Sequence, residues 1–147
     1  MQRNKIGIGA VVGVLLLSGV LAGVSYGDAA RVTDPQVIEL VSGDILKEAS
    51  QGMLTQLRES ALDTEGARVG TIRWNCADGA DWHCTLVYGL RGSESERGSV
   101  VASGIFRGFS GESLAVTGGT GAFANVRGVV VLTVVDGGFV HTLDLTP

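Results

Sequence analysis

From Val69 to the C-terminus the apolar positions recur at every second residue. Trp82, Cys84, Leu86, Tyr88 and Leu90 alternate with His83, Thr85, Val87 and Gly89. Val100, Ala102, Gly104 and Phe106 alternate with Val101, Ser103, Ile105 and Arg107, and Phe139, His141, Leu143 and Leu145 with Val140, Thr142 and Asp144. Period two belongs to a strand, whose successive side chains point to opposite faces. The pattern predicts strands near 69–76, 82–90, 100–107, 113–117, 126–135 and 139–145, with a further candidate at Gln36–Val41. Gly-rich turns join them and no helical period intervenes, which means antiparallel β. Several strands are apolar on both faces, as suits a barrel with an apolar lumen.

The stretch Ile45–Leu62 breaks the pattern. Ile45, Ala49, Met53, Leu57 and Ala61 recur every four residues, and Leu46 and Leu54 widen the face. This reads as an amphipathic helix capped by Ser42 or Asp44. Gly52 interrupts it, and Leu54–Leu62 also reads as a strand; periodicity alone favours the helix.

The N-terminus carries Arg3 and Lys5, then 19 uncharged residues from Ile6 to Val24, then small residues suited to a cut before Asp28 or Ala30. This is the order of a secretory signal peptide. The rival is a retained anchor, because a run of this length spans a bilayer as a helix. Five glycines in the run and the small-residue exit favour cleavage. The organisation expected is a signal segment at 1–27, an exposed lead-in at 28–35 and one domain at 36–147, secreted or otherwise extracytoplasmic.

Charge narrows the partners. The chain carries −4, and once Arg3 and Lys5 leave with the leader nine basic residues face 15 acidic ones, a net −6. A compact acidic domain repels phosphate, so no nucleic-acid partner is expected, and membrane contact is confined to the leader if it stays uncleaved. Export also favours a disulfide between Cys76 and Cys84 across the 69–76/82–90 hairpin, with a reactive thiol as the alternative.

Few motifs carry chemistry. Gly119-Thr-Gly-Ala-Phe-Ala124 matches G-x-G-x-x-A, but Arg127-Gly128-Val-Val-Val follows as strand, and a pyrophosphate site needs a helix there. Gly118, Gly119 and Gly121 are therefore expected in a tight turn, with Arg127 reaching back onto its carbonyls or to a carboxylate. His83 and His141 with two paired cysteines do not make a zinc site, and no nucleophile elbow or His-Glu-x-x-His is present, so neither metal nor cofactor is expected. Arg73, Arg107 and Arg127 lie in apolar strands with Glu39, Glu59 and Asp144 as available partners. Each either points outward to water or joins a polar cluster inside a cavity, where a carboxylate's pKa would shift. His141 shares a face with Phe139, Leu143 and Leu145, and Tyr88 with Trp82, which reads first as packing.

The C-terminal half resembles the allene oxide cyclase and dirigent superfamily. The resemblance rests on Arg68-Val-Gly-Thr71 leading to Cys76, on Gly104-Ile-Phe106, on Leu114-Ala-Val-Thr-Gly-Gly-Thr-Gly-Ala-Phe123, and on Arg127-Gly128. It covers about Gly66 to Leu145. It implies an all-β, eight-stranded antiparallel barrel with an apolar lumen, and hence a second strand at Met53–Asp63 in place of the helix. Members close rings on unsaturated fatty epoxides or polyketide chains, or steer radical coupling, by holding a flexible molecule in one conformation. Cys76 falls where the plant cyclases keep a lumen cysteine. Phe106 falls where they keep a tyrosine, and their first-strand glutamate and asparagine have no equivalent at Leu40–Asp44. The implied function is cofactor-independent ring closure of a hydrophobic small molecule, with non-catalytic binding as the alternative and a homo-oligomer among the expected partners. Candidate cavity residues are Arg73, Tyr88, Phe106, Arg107, Phe123 and His141. A third reading is a structural barrel filled by Trp82, Phe106, Phe123 and Phe139.

Overall fold

A computed structural model describes residues 31–147, apart from 80, 93–96, 109 and the side chain of Lys47. The leader expected at 1–27 and the first lead-in residues lie outside the described residues. Eight strands follow one another: β1 (Gln36–Gln51), β2 (Leu54–Leu62), β3 (Arg68–Ala77), β4 (Trp82–Arg91), β5 (Arg97–Phe106), β6 (Glu112–Gly121), β7 (Arg127–Val135) and β8 (Gly138–Thr146). Each pairs antiparallel with the next, and β8 pairs with β1 to close the barrel. Closure leaves no sheet edge to protect. The all-β, eight-stranded barrel expected from the sequence is the fold.

The helix favoured by the spacing of Ile45–Leu62 does not form. β1 runs on to Gln51, the chain reverses at Gly52 (φ +61), and β2 returns from Leu54 along β1 and β3. The residues of the supposed helical face share no buried side: Ile45, Leu46, Met53 and Leu54 are exposed, while Ala61 is fully buried. A helix here would leave the ladder groups of β1 and β3 unpaired, and a second strand satisfies both. The glycine run is also displaced from its expected place. Gly118, Gly119 and Gly121 lie within β6, and the turn follows at 122–125. Gly119 and Gly121 are needed for close backbone approach: a Cβ on Gly119 would meet the carbonyl oxygens of Ser99 and Phe123, and Gly121 (φ +62) lies against that of Arg97. Arg127 does reach the turn, donating to the carbonyls of Asn125 (3.3 Å) and Val126 (3.0 Å).

Alternate residues fill the lumen. Ile72, Leu86, Tyr88, Val100, Leu114, Val130, Leu132 and Leu143 are fully buried and pack its middle. Cys76 and Cys84 face each other in register on the inner side and form the expected disulfide. Between Ser42 and Ile45 the β1–β2 register shifts, a bulge in mid-strand. Such bulges re-aim side chains, and this one lies beside the polar cluster described next.

Candidate functional site

The barrel has two ends. At the end formed by the start of β4 and the close of β5, Trp82 and Phe106 are paired in register. They line, with Asp81, Arg107 and Gly108, a cleft of about 490 Å³. Arg107 is exposed at its rim and held by Asp81 at 2.9 Å. Below the rim Trp74, Phe106 and Phe139 touch one another, with ring centroids 5.4–5.6 Å apart in tilted or edge-on contact. Such geometry sets the positive edge of one ring against the negative face of the next.

Beneath these rings lies the polar cluster. Glu59, on the inner face of β2 between Leu57 and Ala61, is 5 % exposed. Its Oε1 accepts hydrogen bonds from Trp74 Nε1 at 2.7 Å and from Ser42 Oγ at 3.0 Å. Ser42 Oγ also lies 3.1 Å from His141 Nε2, and His141 Nδ1 lies 3.0 Å from the Tyr88 hydroxyl. His141 and Tyr88 are fully buried and come from β8 and β4, strands on opposite sides of the barrel. The pair therefore spans the lumen.

Protonation fixes the direction of this chain. Burial holds His141 at about 4 against an ordinary 6.5, so its ring is neutral at pH 7 and one nitrogen donates while the other accepts. The 3.8 Å separation of Nε2 from Glu59 Oε1 is accordingly not an ion pair at that pH. Ser42 gives its single proton to the carboxylate, so its oxygen must accept from Nε2–H. Nδ1 is then the acceptor, and Tyr88 must donate to it. Every hydrogen bond from Tyr88 through His141 and Ser42 points to Glu59, and Trp74 adds a second donor from β3. Burial raises the pKa of Glu59, and the bonds from Trp74 and Ser42 oppose that rise. Burial, then the charge of Glu59, raises that of Tyr88 well above its ordinary value and keeps the phenol protonated. A carboxyl lifted in this way takes up a proton more readily than a solvated one and can return it, which is what general acid–base chemistry requires.

The structure separates the residues singled out in the sequence. Tyr88 and His141 join the cluster, and Phe106 roofs it. Arg107 stands at the rim, bonded to Asp81 rather than to the interior. Arg73 is a correction: period two puts Trp74 inside and Arg73 outside, so its side chain is exposed on the outer wall. Phe123 is not part of this cluster: it is buried at the opposite end of the barrel, where it lines another cleft. Trp82 is 43 % exposed, so the filling of the lumen by Trp82, Phe106, Phe123 and Phe139 together is not observed. In the sequence Glu59 stands out only as a partner for an arginine and Ser42 only as a helix cap, and nothing there marks Trp74. The signal for Glu59 was the alternation Leu57, Glu59, Ala61, legible only once the segment is a strand.

No protein-family profile matches the chain, and no curated protein does. Among solved structures the fold is similar to that of pyocyanin demethylase, with a TM-score of 0.54 and 18 % identity over 76 % of this chain and 99 % of that one. At this identity the likeness shows the shared barrel fold.

Proposed function

We propose that the protein is an exported barrel of the allene oxide cyclase and dirigent type that binds a hydrophobic small molecule at the Phe106 end and promotes its isomerisation or ring closure. The observation that carries this reading is a carboxyl buried beneath an aromatic mouth, its pKa raised, served by a one-way chain of donors. Among the described residues no Lys or Arg pairs with Glu59, so its burial costs stability. Perturbed carboxyls of this kind concentrate at functional sites. Trp82, Phe106 and Arg107 would hold the molecule, and Glu59 would exchange a proton with it while His141 and Tyr88 fix the carboxylate's partner Ser42. Orientation in the apolar cleft supplies the remainder of the effect. The structural neighbour, named for demethylating pyocyanin, agrees with a barrel that holds a small molecule. The disulfide agrees with export.

A second reading, binding without chemistry, is favoured by one observation. Trp74, Phe106 and Phe139 are in mutual contact above Glu59, so a molecule resting on them would not touch the carboxyl. Incubation with a panel of unsaturated epoxides and polyenes, followed by mass spectrometry and chromatography of the products, distinguishes the two. Isomeric product formed by wild type and lost in Glu59→Gln, with binding retained, supports chemistry. Saturable binding with no product in either protein supports the second reading.

A further inference from the structure

The end of the barrel opposite Phe106 holds the larger cleft, about 650 Å³, within the range of small-molecule sites. The polar cluster lies beneath its floor, where Leu40 is the register partner of His141. Leu40, Leu90 and Phe123 form its floor, each nearly or fully buried. Its outer wall is the lead-in 31–35, which crosses the barrel end and is tied down by Val32 N donating to Ala122 O at 2.8 Å, with the Val32 side chain packed on the core.

One polar atom in this apolar setting lacks a partner. Gln36, the first residue of β1 and on the inward side with Ile38 and Leu40, buries its carboxamide nitrogen without a hydrogen bond. A buried donor left unpaired is costly, and such groups are rare in folded proteins. Gln36 lines the cleft, and rotation of its carboxamide would present this nitrogen to an acceptor placed there. The rim carries Asp34, Glu39 and Asp63 against Arg31, which disfavours an anion.

We infer that this end of the barrel is a second ligand site, built for a neutral apolar molecule with one hydrogen-bond acceptor directed at Gln36. It opens at the barrel end opposite the Phe106 cleft, and the lead-in forms part of it.

Two dyes test it: Nile red, neutral and carrying a carbonyl acceptor, and pyrene, a hydrocarbon of similar flatness with none. Binding is read from the methyl signals of Leu40 and Leu90 in ¹H–¹³C spectra of the full chain. Both dyes should shift these signals saturably. Gln36→Met, which keeps the length and removes the donor, should weaken Nile red roughly three- to tenfold, the worth of one hydrogen bond, and leave pyrene unchanged. Val69→Trp, which fills the cleft, should abolish both shifts. Equal weakening of the two dyes by Gln36→Met would mean a packing role only. Methyl signals that stay put at saturating dye, or that still shift in a folded Val69→Trp, would overturn the site.

Discussion

His141 offers a test of the lumen chain that needs no ligand. The folded barrel holds its pKa at about 4, and unfolding returns the ring to water and an ordinary 6.5. As pH falls the unfolded chain therefore takes up this proton first. The contribution of His141 to stability is fully present above about pH 6.5 and is lost progressively down to about pH 4. Linkage between those values gives a loss of about 2 kcal/mol between pH 7.5 and pH 5. Glu59 acts in the opposite sense, because its folded pKa is raised: its contribution is fully present below its unfolded value and lost as pH rises through the folded one. The perturbation is His141→Gln, which removes the titrating ring and keeps a polar side chain. At pH 7.5 the variant should be less stable by about 2–4 kcal/mol, having lost ring contacts with Trp74 and Phe139 and the acceptor for Tyr88. At pH 5 the gap should narrow by about 2 kcal/mol, since the wild type has by then lost what the ring supplied. Urea unfolding at both pH values measures the gap, and titrating groups remote from His141 cancel in the difference. An equal gap at the two values would refute the neutral buried imidazole and with it the direction of the chain.

Three further outcomes follow from the same geometry. Trp74→Phe removes the 2.7 Å bond to Glu59 and should move the Glu59 pKa further up, read from the ¹³C shift of its carboxyl during a pH titration. Gly121→Val forces a β-branched residue into φ +62 against the Arg97 carbonyl and should destabilise the barrel by more than about 1 kcal/mol in chemical melts. Reducing the Cys76–Cys84 bond, which closes a sequence separation of 8, should cost towards the low end of about 2–4 kcal/mol, and alkylation without reductant should add no mass.

The strands from Val69 onward were legible because each buries one face and exposes the other, so period two survives in the sequence. The first hairpin was not. β1 is 16 residues long, carries a bulge, and runs past the core, so Ile45 and Leu46 are apolar yet exposed and imitate a helical stripe. The glycines of β6 were read as a turn because no sequence rule distinguishes a glycine needed for φ from one needed for closeness between strands. The site was half legible for the same reason. Tyr88 and His141 lie on strands whose register was clear, whereas Ser42 and Glu59 lie on the hairpin that was misread. Arg73 and Phe123 were candidates by type, and only the closing of the barrel shows that one faces outward and the other lies at the far end.

The central claim is that the Phe106 end holds a small molecule over Glu59. The chain has two tryptophans, and both stand there: Trp82 in the mouth and Trp74 bonded to Glu59. Their indole ¹H–¹⁵N signals, followed while hydrophobic epoxides and polyenes are titrated in, report on the mouth and on the carboxyl's donor separately. The account predicts a saturable shift of both indoles with one affinity. Both indoles staying in place throughout, with any saturable shift confined to the Leu40 and Leu90 methyls of the opposite cleft, would contradict it.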